Sequence, residues 1–239
     1  MTTTSGRRQL PIDQRPDHIR SFGTRRGHLT ESQRLAIEQL GPRYCLPADD
    51  NQVLSFAQVF GNTNPVTFEI GCGMGETSVK IAADNPGKNY LGTEVYPAGI
   101  GSLLGRIQTS GLHNIRVLAF DAVDILRHRI EPASLDAVHI LFPDPWPKKR
   151  HHKRRLIQPV FADLLASRMK PGAYVHCATD WVPYAEQMLD VLSACAALEN
   201  AAGSEQWLPR PDWRPVTKFE ERGLKRGYIV HDLQFIRRV

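Results

Sequence analysis

The chain reads as an α/β protein built on a parallel sheet with helices packed on both faces. Three observations carry that reading. From residue 65 onward, short apolar runs alternate five times with stretches of helical length, the order expected when each strand returns through a crossover helix. A glycine-rich turn, Gly71-Cys-Gly-Met-Gly75, follows the first run. An acid stands at or just past the end of each of the five runs: Glu69, Glu94, Asp121, Asp144 and Asp180.

Residues 1–34 are rich in Arg, Thr and Gly with few apolar anchors, and are expected to stay mobile until a partner binds. Thr30 caps a helix over 31–40, which Gly41-Pro42 is expected to stop. Residues 43–60 read as a linker with a short helix. Val66–Ile70 is the first strand, followed by a helix over 75–84. Tyr90–Val95 precedes a helix over 98–110, and Ile115–Ala119 one over 122–130. Leu135–Phe142 precedes a helix over 154–169, and Ala173–Ala178 one over 182–198. After residue 204 a Trp-, Pro- and Arg-rich loop (207–215) leads to Tyr228–Ile236, which suits a final antiparallel strand. The chain divides into a basic, partly flexible N-terminal extension with short helices (1–60) and one α/β domain (61–239).

With 239 residues, 41% of them hydrophobic, the chain can bury a full core. No apolar run approaches the roughly 20 residues that span a bilayer, and no apolar stretch follows the first arginines as in a secretory signal. Cys45, Cys72, Cys177 and Cys195 form no C-x-x-C pair, so neither a disulfide framework nor a zinc site is expected. These features predict a cytoplasmic protein without a metal. Nothing predicts a large self-complementary apolar face, which favours a monomer.

Thirty Lys and Arg against 25 Asp and Glu leave a net charge of +5. The excess is concentrated. Residues 148–155 hold six Lys or Arg and no acid, and residues 1–34 hold seven Arg against Asp13, Asp17 and Glu31, so the remainder is net acidic. Two basic segments on an acidic body favour a polyanion with a defined footprint.

Residues 139–155 read His-Ile-Leu-Phe-Pro-Asp-Pro-Trp-Pro-Lys-Lys-Arg-His-His-Lys-Arg-Arg. Pro143 and Pro145 flank Asp144 and limit the backbone that carries its carboxylate. Trp146 stands beside it, and eight residues that are all cationic or His follow. A presented acid and an indole next to a phosphate-seeking track point to chemistry on a nucleic-acid base. Lys148, nearest Asp144, is placed for the target nucleotide. Arg150, His151, His152, Lys153, Arg154 and Arg155 are expected to hold the phosphate backbone, with affinity falling as salt rises. Adjacent His151 and His152 are poor joint metal ligands. Trp146 is open to two readings: a ring stacked on an extruded base, or a cap packed beneath the turn.

In an open α/β sheet, ligands bind outside the carboxyl ends of the strands, and right-handed crossovers place all five acids on that edge. The glycines permit close approach to bare backbone. Their spacing departs from the dinucleotide fingerprint, the third Gly coming one residue early. Glu69, immediately before the loop, would repel a pyrophosphate and welcome a cation. Glu94 is placed to accept ribose hydroxyls. The expected ligand therefore has a ribose and a positive charge, and no phosphate.

E-I-G-C-G-M-G (69–75), Glu94 and F-D-A (120–122) resemble the class I S-adenosylmethionine-dependent methyltransferases. The run P-D-P-W-P-K-K-R-H-H-K-R-R (143–155), with A-T-D-W (178–181) and P-V-T-K-F-E (215–220), narrows the resemblance to the bacterial tRNA (guanine-N7)-methyltransferase family, over nearly the whole chain. The resemblance implies a Rossmann-like fold with a mostly parallel seven-stranded sheet and an antiparallel last strand. It implies S-adenosyl-L-methionine as cofactor, which fits the ligand just described, and tRNA as partner, methylated at N7 of a variable-loop guanine. It further implies that Glu69, Glu94, Asp121 and Asp144 surround the cofactor, with Asp121 toward the adenine amine. Lys148, Asp180, Thr217, Lys218, Phe219 and Glu220 would contact the substrate. Guanine N7 carries a lone pair and no proton, so the reaction needs alignment and a carboxylate near the ring. That catalytic role falls to Asp144.

Other classes compete. Pro-Asp-Pro-Trp lies near the Asp-Pro-Pro-Trp type motif of exocyclic-amine (adenine N6) methyltransferases, although here the prolines flank the acid. A non-catalytic RNA-binding module is opposed by the four acids in place. A nicotinamide dehydrogenase is opposed by the loop spacing and by Glu69.

Overall fold

The computed structural model describes residues 18–23, 28–47, 52–203 and 206–239. The expectation for the N-terminal tail, as far as it concerns residues 1–17 and 24–27, lies outside them. The strands are β1 (Cys45–Leu46), β2 (Val66–Ile70), β3 (Asn89–Thr93), β4 (Ile115–Leu118), β5 (Leu135–Leu141), β6 (Met169–Thr179), β7 (Leu198–Asn200) and β8 (His231–Arg237). They form one sheet in the order β1-β4-β3-β2-β5-β6-β8-β7. Pairing is parallel from β1 to β6, and β8 runs antiparallel to both β6 and β7. The helices are α1 (Glu31–Tyr44), α2 (Phe56–Phe60), α3 (Glu76–Asp84), α4 (Pro97–Thr109), α5 (Ala122–His128), α6 (Pro159–Arg168), α7 (Val182–Ala194) and α8 (Lys218–Leu224).

Successive side chains on a strand point to opposite faces, and that splits the core. Phe68, Leu91, Val138, Ile140 and Val175 pack with α5, α6 and α7. Tyr90, Ile115 and Val117 pack with α1, α3 and α4. No described helix is long and apolar enough to cross a membrane. All four cysteines are free, three of them buried.

Several elements differ from the sequence reading. The sheet has eight strands, because two very short edge strands, β1 and β7, join it. The first helix does not stop at Gly41-Pro42 but continues to Tyr44. Proline is tolerated best in the first turn of a helix and Pro42 lies in the last, but α1 is pressed along α4, where a Cβ on Gly101 would lie 2.6 Å from the Gln33 carbonyl. The continuous helix over 154–169 is instead a 3-10 helix, Lys149–Arg154, and then α6 from Pro159. Proline fits the first helical position and forces the residue before it out of helical geometry. Gln158 accordingly has φ −131° and ψ 159°. The helix expected to reach 198 ends at Ala194, and the chain then forms β7. Finally, Thr217 opens α8 through a reciprocal capping box with Glu220, where a loop was expected.

Candidate active site

The carboxyl edge of β4-β3-β2-β5-β6 carries all five acids. Glu69 lies within β2, and Glu94 and Asp180 directly follow β3 and β6. Asp121 and Asp144 each lie three residues beyond β4 and β5. Glu69, Glu94 and Asp121 are buried, at 5%, 6% and 7% exposure. Three interior carboxylates meet at this one edge, and concentrated buried negative charge suits a cationic ligand better than an anionic one.

The glycine loop joins β2 to α3. Gly75 caps α3 with φ 80°, and a Cβ there would meet Leu103 at 2.5 Å, so no larger residue fits the turn. Glu94 organises this loop. Its Oε2 accepts from the Gly73 amide at 2.8 Å, and Oε1 accepts from the amides of Val95 and Tyr96 at 2.7 and 2.9 Å. Burial, with the charge of Glu94 adding and the Ser78 hydroxyl opposing, raises the Glu69 carboxyl to about 7. Asp121 caps α5 through Oδ1, accepting from the Val123 amide at 2.9 Å. Its Oδ2 meets His18 Nε2 at 3.1 Å. His18 also approaches Asp124 at 3.5 Å, so it bridges two carboxylates.

Asp144 is half-buried on a loop with two non-glycine residues in left-handed geometry, Phe142 (φ 52°) and Trp146 (φ 44°). Such residues cost about 1–3 kcal/mol each and persist where the surroundings enforce them, typically at functional sites. The surroundings here are explicit. The Trp146 indole donates to the Ser21 carbonyl at 2.7 Å, and the Arg154 guanidinium covers its ring at 4.1 Å. His151 meets the ring edge-on. Trp146 is thus partly packed against the fold, its N–H committed to the Ser21 carbonyl and one face of its ring covered by Arg154.

The basic run divides. Lys148, Lys149, Arg150 and Lys153 are exposed. Arg154 is instead committed to the segment 18–23, donating to the carbonyls of Arg20 and Phe22 at 3.3 and 2.9 Å. Arg155 corrects the sequence reading most clearly. It is 3% exposed and donates to the carbonyls of Pro145 and Pro183 and to Gln187 Oε1, so its guanidinium holds the Asp144 loop from beneath and does not reach RNA. Local desolvation and the cations Arg150, Lys148, Arg154 and Lys153 hold His151 below the ordinary histidine value. It is therefore a neutral donor or acceptor near pH 7. His152 is half-buried in the 3-10 helix, its carbonyl accepting from Gln158 at 3.0 Å.

On the substrate side, Asp180 is half-buried and is not the N-cap of α7; Trp181 is, and it is 37% exposed. Thr217 caps α8, and Lys218 and Phe219 open its first turn. Glu220 is buried and spends both carboxylate oxygens on Arg214, at 2.6 and 3.0 Å, so direct contact with substrate is not its part. Sequence reasoning missed His18, Tyr96, Arg214 and the exposure of two apolar residues, Met74 within the glycine loop and Phe120 next to Asp121. Met74 and Phe120 were findable from the motifs; His18 meets Asp121 and the Tyr96 hydroxyl donates to the Gly23 carbonyl across long sequence distances, and Arg214 is joined to its partners only by the fold.

The glycine loop, the ordered acids and the antiparallel end of the sheet define a protein of the methyltransferase class. A family model described as "Putative methyltransferase" matches residues 63–233. Among solved structures, the 16S rRNA methyltransferase KamB superposes with a TM-score of 0.58 at 16% identity, over 77% of this chain and 93% of that one. The [4+2]-cyclase SpnF superposes at 0.52 and 15% identity, over 87% and 80%. These likenesses show the fold alone, and SpnF shows that the fold does not dictate methyl transfer. Sequence relatives are more specific. A tRNA (guanine-N(7)-)-methyltransferase of Bordetella pertussis is 56% identical over 220 residues, 92% of this chain and 85% of the relative. One of Burkholderia thailandensis is 55% identical over 217 residues, 91% and 81%. The chain belongs to the tRNA (guanine-N7)-methyltransferase family.

Proposed function

We propose that this protein transfers a methyl group from S-adenosyl-L-methionine to N7 of a guanine in tRNA. The observation that carries the reading is the meeting, at one sheet edge, of three buried carboxylates around a glycine loop with Asp144 and a row of exposed cations. The donor set fits the cofactor: Glu94 for the ribose, Asp121 for the adenine amine, and Glu69 as negative charge toward a sulfonium. When bound, the cofactor supplies an electrophilic methyl group whose positive charge passes to the purine. The chain's own task is to bind and align the guanine, because N7 needs no base, and alignment alone is worth several orders of magnitude. Asp144 stabilises the positive charge that develops on the ring. Asp180 and Thr217 hold the base from the α8 side. Lys148, Lys149, Arg150 and Lys153 hold the phosphates, while Arg154 and Arg155 brace the loop. In this reading residues 61–239 are the catalytic domain and residues 1–60 a basic extension, and the enzyme is a cytoplasmic monomer that needs no metal. The adenine N6 alternative is not favoured, since the relatives are named for guanine N7.

The test is incubation with methyl-labelled S-adenosylmethionine and unmodified bulk tRNA, then digestion to nucleosides. Label is expected in 7-methylguanosine; label in another nucleoside overturns the guanine assignment.

Two further outcomes are expected. The tRNA association constant falls with salt at a log–log slope of about −3, set by roughly four phosphate-facing cations. Filter binding across a salt series should show Lys149→Ala reducing the slope by about 1, and Arg155→Ala lowering the melting temperature instead. The second concerns Glu69. Its folded value, about 7, lies above the ordinary 4.5. Its contribution to stability is therefore present below about 4.5 and is lost as pH rises through about 7. A cationic ligand favours the ionised form. The affinity ratio of S-adenosylmethionine to neutral S-adenosylhomocysteine should rise between pH 6 and 8, and calorimetry on Glu69→Gln should find that ratio flat.

A further inference from the structure

Arg214 is the largest fully buried side chain among the described residues. Its guanidinium is held by two carboxylates at once. Nη1 and Nη2 donate to Glu220, and Nε and Nη2 donate to Asp232 at 2.7 and 2.8 Å. His176 Nε2 meets the same Asp232 oxygen as Arg214 Nε, at 2.7 Å. Burial alone would raise Asp232, but His176 and Arg214 hold it below the ordinary carboxylate value. The guanidinium also lies 5.8 Å from the Phe142 ring centroid, two residues before Asp144. One cation thus touches the Asp144 loop, the start of β8 and, through Glu220, the first turn of α8. The far end of α8 reaches Asp180: a Cβ on Gly223 would stand 3.3 Å from Asp180 Oδ2.

A buried charge network of this kind has stability alternatives, since well-packed apolar residues often serve as well or better. Its place at the junction of three substrate-side segments points to geometry instead. We propose that Arg214 is the positioning residue of the substrate side. It clamps Glu220 to Asp232 and so fixes α8, which sets Thr217 and Asp180 relative to Asp144. The inference rests on the functional reading above and deepens it. Asp232 and His176 anchor the clamp to the sheet, and Glu220 acts through Arg214 without touching substrate.

The experiment compares the full chain with Arg214→Lys, Glu220→Gln and the double variant. Lys cannot reach both carboxylates bidentately. Gln keeps the capping box and leaves Arg214 paired with Asp232, so Glu220→Gln keeps the question answerable if Arg214→Lys fails to fold. Each single variant is expected to lower kcat/KM for tRNA by about 100-fold, the scale of a small misplacement, while affinity for S-adenosylmethionine stays within about twofold. The double variant should be no worse than either single one, because both break one unit. Amide exchange of residues 217–224 should speed up while that of β5 and β6 does not. A folded variant with wild-type kcat/KM and wild-type exchange, or effects that add fully in the double variant, overturns the clamp. Wild-type protein that makes no 7-methylguanosine overturns the functional reading, and the exchange measurement still decides on the clamp.

Discussion

Asp144→Asn lowers the single-turnover rate of methyl transfer by about 100- to 1000-fold, the range seen when one preorganised electrostatic stabiliser is removed. Asn keeps the size and an acceptor oxygen but removes the charge, and the charge is what the reaction uses. Positive charge develops on the guanine ring as N7 is methylated. At an effective dielectric constant near 20, a carboxylate about 4 Å away is worth roughly 4 kcal/mol. Asp144 is half-buried at the carboxyl edge of the sheet, where the ligand is proposed to sit. The loop is braced independently of that carboxylate, by Arg155 on the Pro145 carbonyl and by the Ser21 carbonyl on Trp146. The variant should therefore fold and bind tRNA and cofactor with near-normal affinity. Rapid-quench assays read the rate, and equilibrium binding reads the affinities. A normal rate removes the electrostatic role.

Glu94→Ala acts by the opposite route, through binding. The carboxylate accepts from three amides, two at the β3 turn and one at Gly73 in the glycine loop. Charge-assisted bonds of this kind are worth about 1.5–3 kcal/mol each. Truncation leaves three amides in a largely buried turn without their acceptor and unties the loop. Cofactor affinity should fall by at least about 100-fold, and the melting temperature should fall with it. Calorimetric titration and thermal unfolding on one preparation separate the two effects. Unchanged cofactor affinity would place the ligand elsewhere.

How far the sequence carries this account depends on the kind of feature. The alternation of apolar runs with helical stretches, and the acids at the ends of those runs, were legible because parallel strands with crossovers leave few topologies. Glu69, Glu94 and Asp121 could be placed at one edge from order alone. The capping box Thr217-Lys-Phe-Glu220 was also in plain view as a T-x-x-E pattern, yet its surroundings of Pro and Arg suggested loop. Burial of arginines was not legible. Arg154 and Arg155 continue a cationic run without any change in composition, and only the fold turns them inward onto carbonyls at 18–23, 145 and 183. Arg214 is equally silent: its partners Glu220 and Asp232 lie on a short helix and an antiparallel strand, and only their assembly makes a clamp. His18 meets Asp121 across 103 residues of chain, which no local pattern reports. Pro42 within α1 shows packing overruling a local rule.

In the proposed reaction the methyl group goes to guanine N7 and to no exocyclic amine. The most direct measurement uses two tRNA transcripts that differ only in that 7-deazaguanosine replaces guanosine, which removes the attacking nitrogen and leaves every amino group. Full transfer of label to the guanosine transcript and none to the 7-deaza transcript is expected, with both transcripts binding alike. Comparable label on the two would contradict it and move the reaction to another atom.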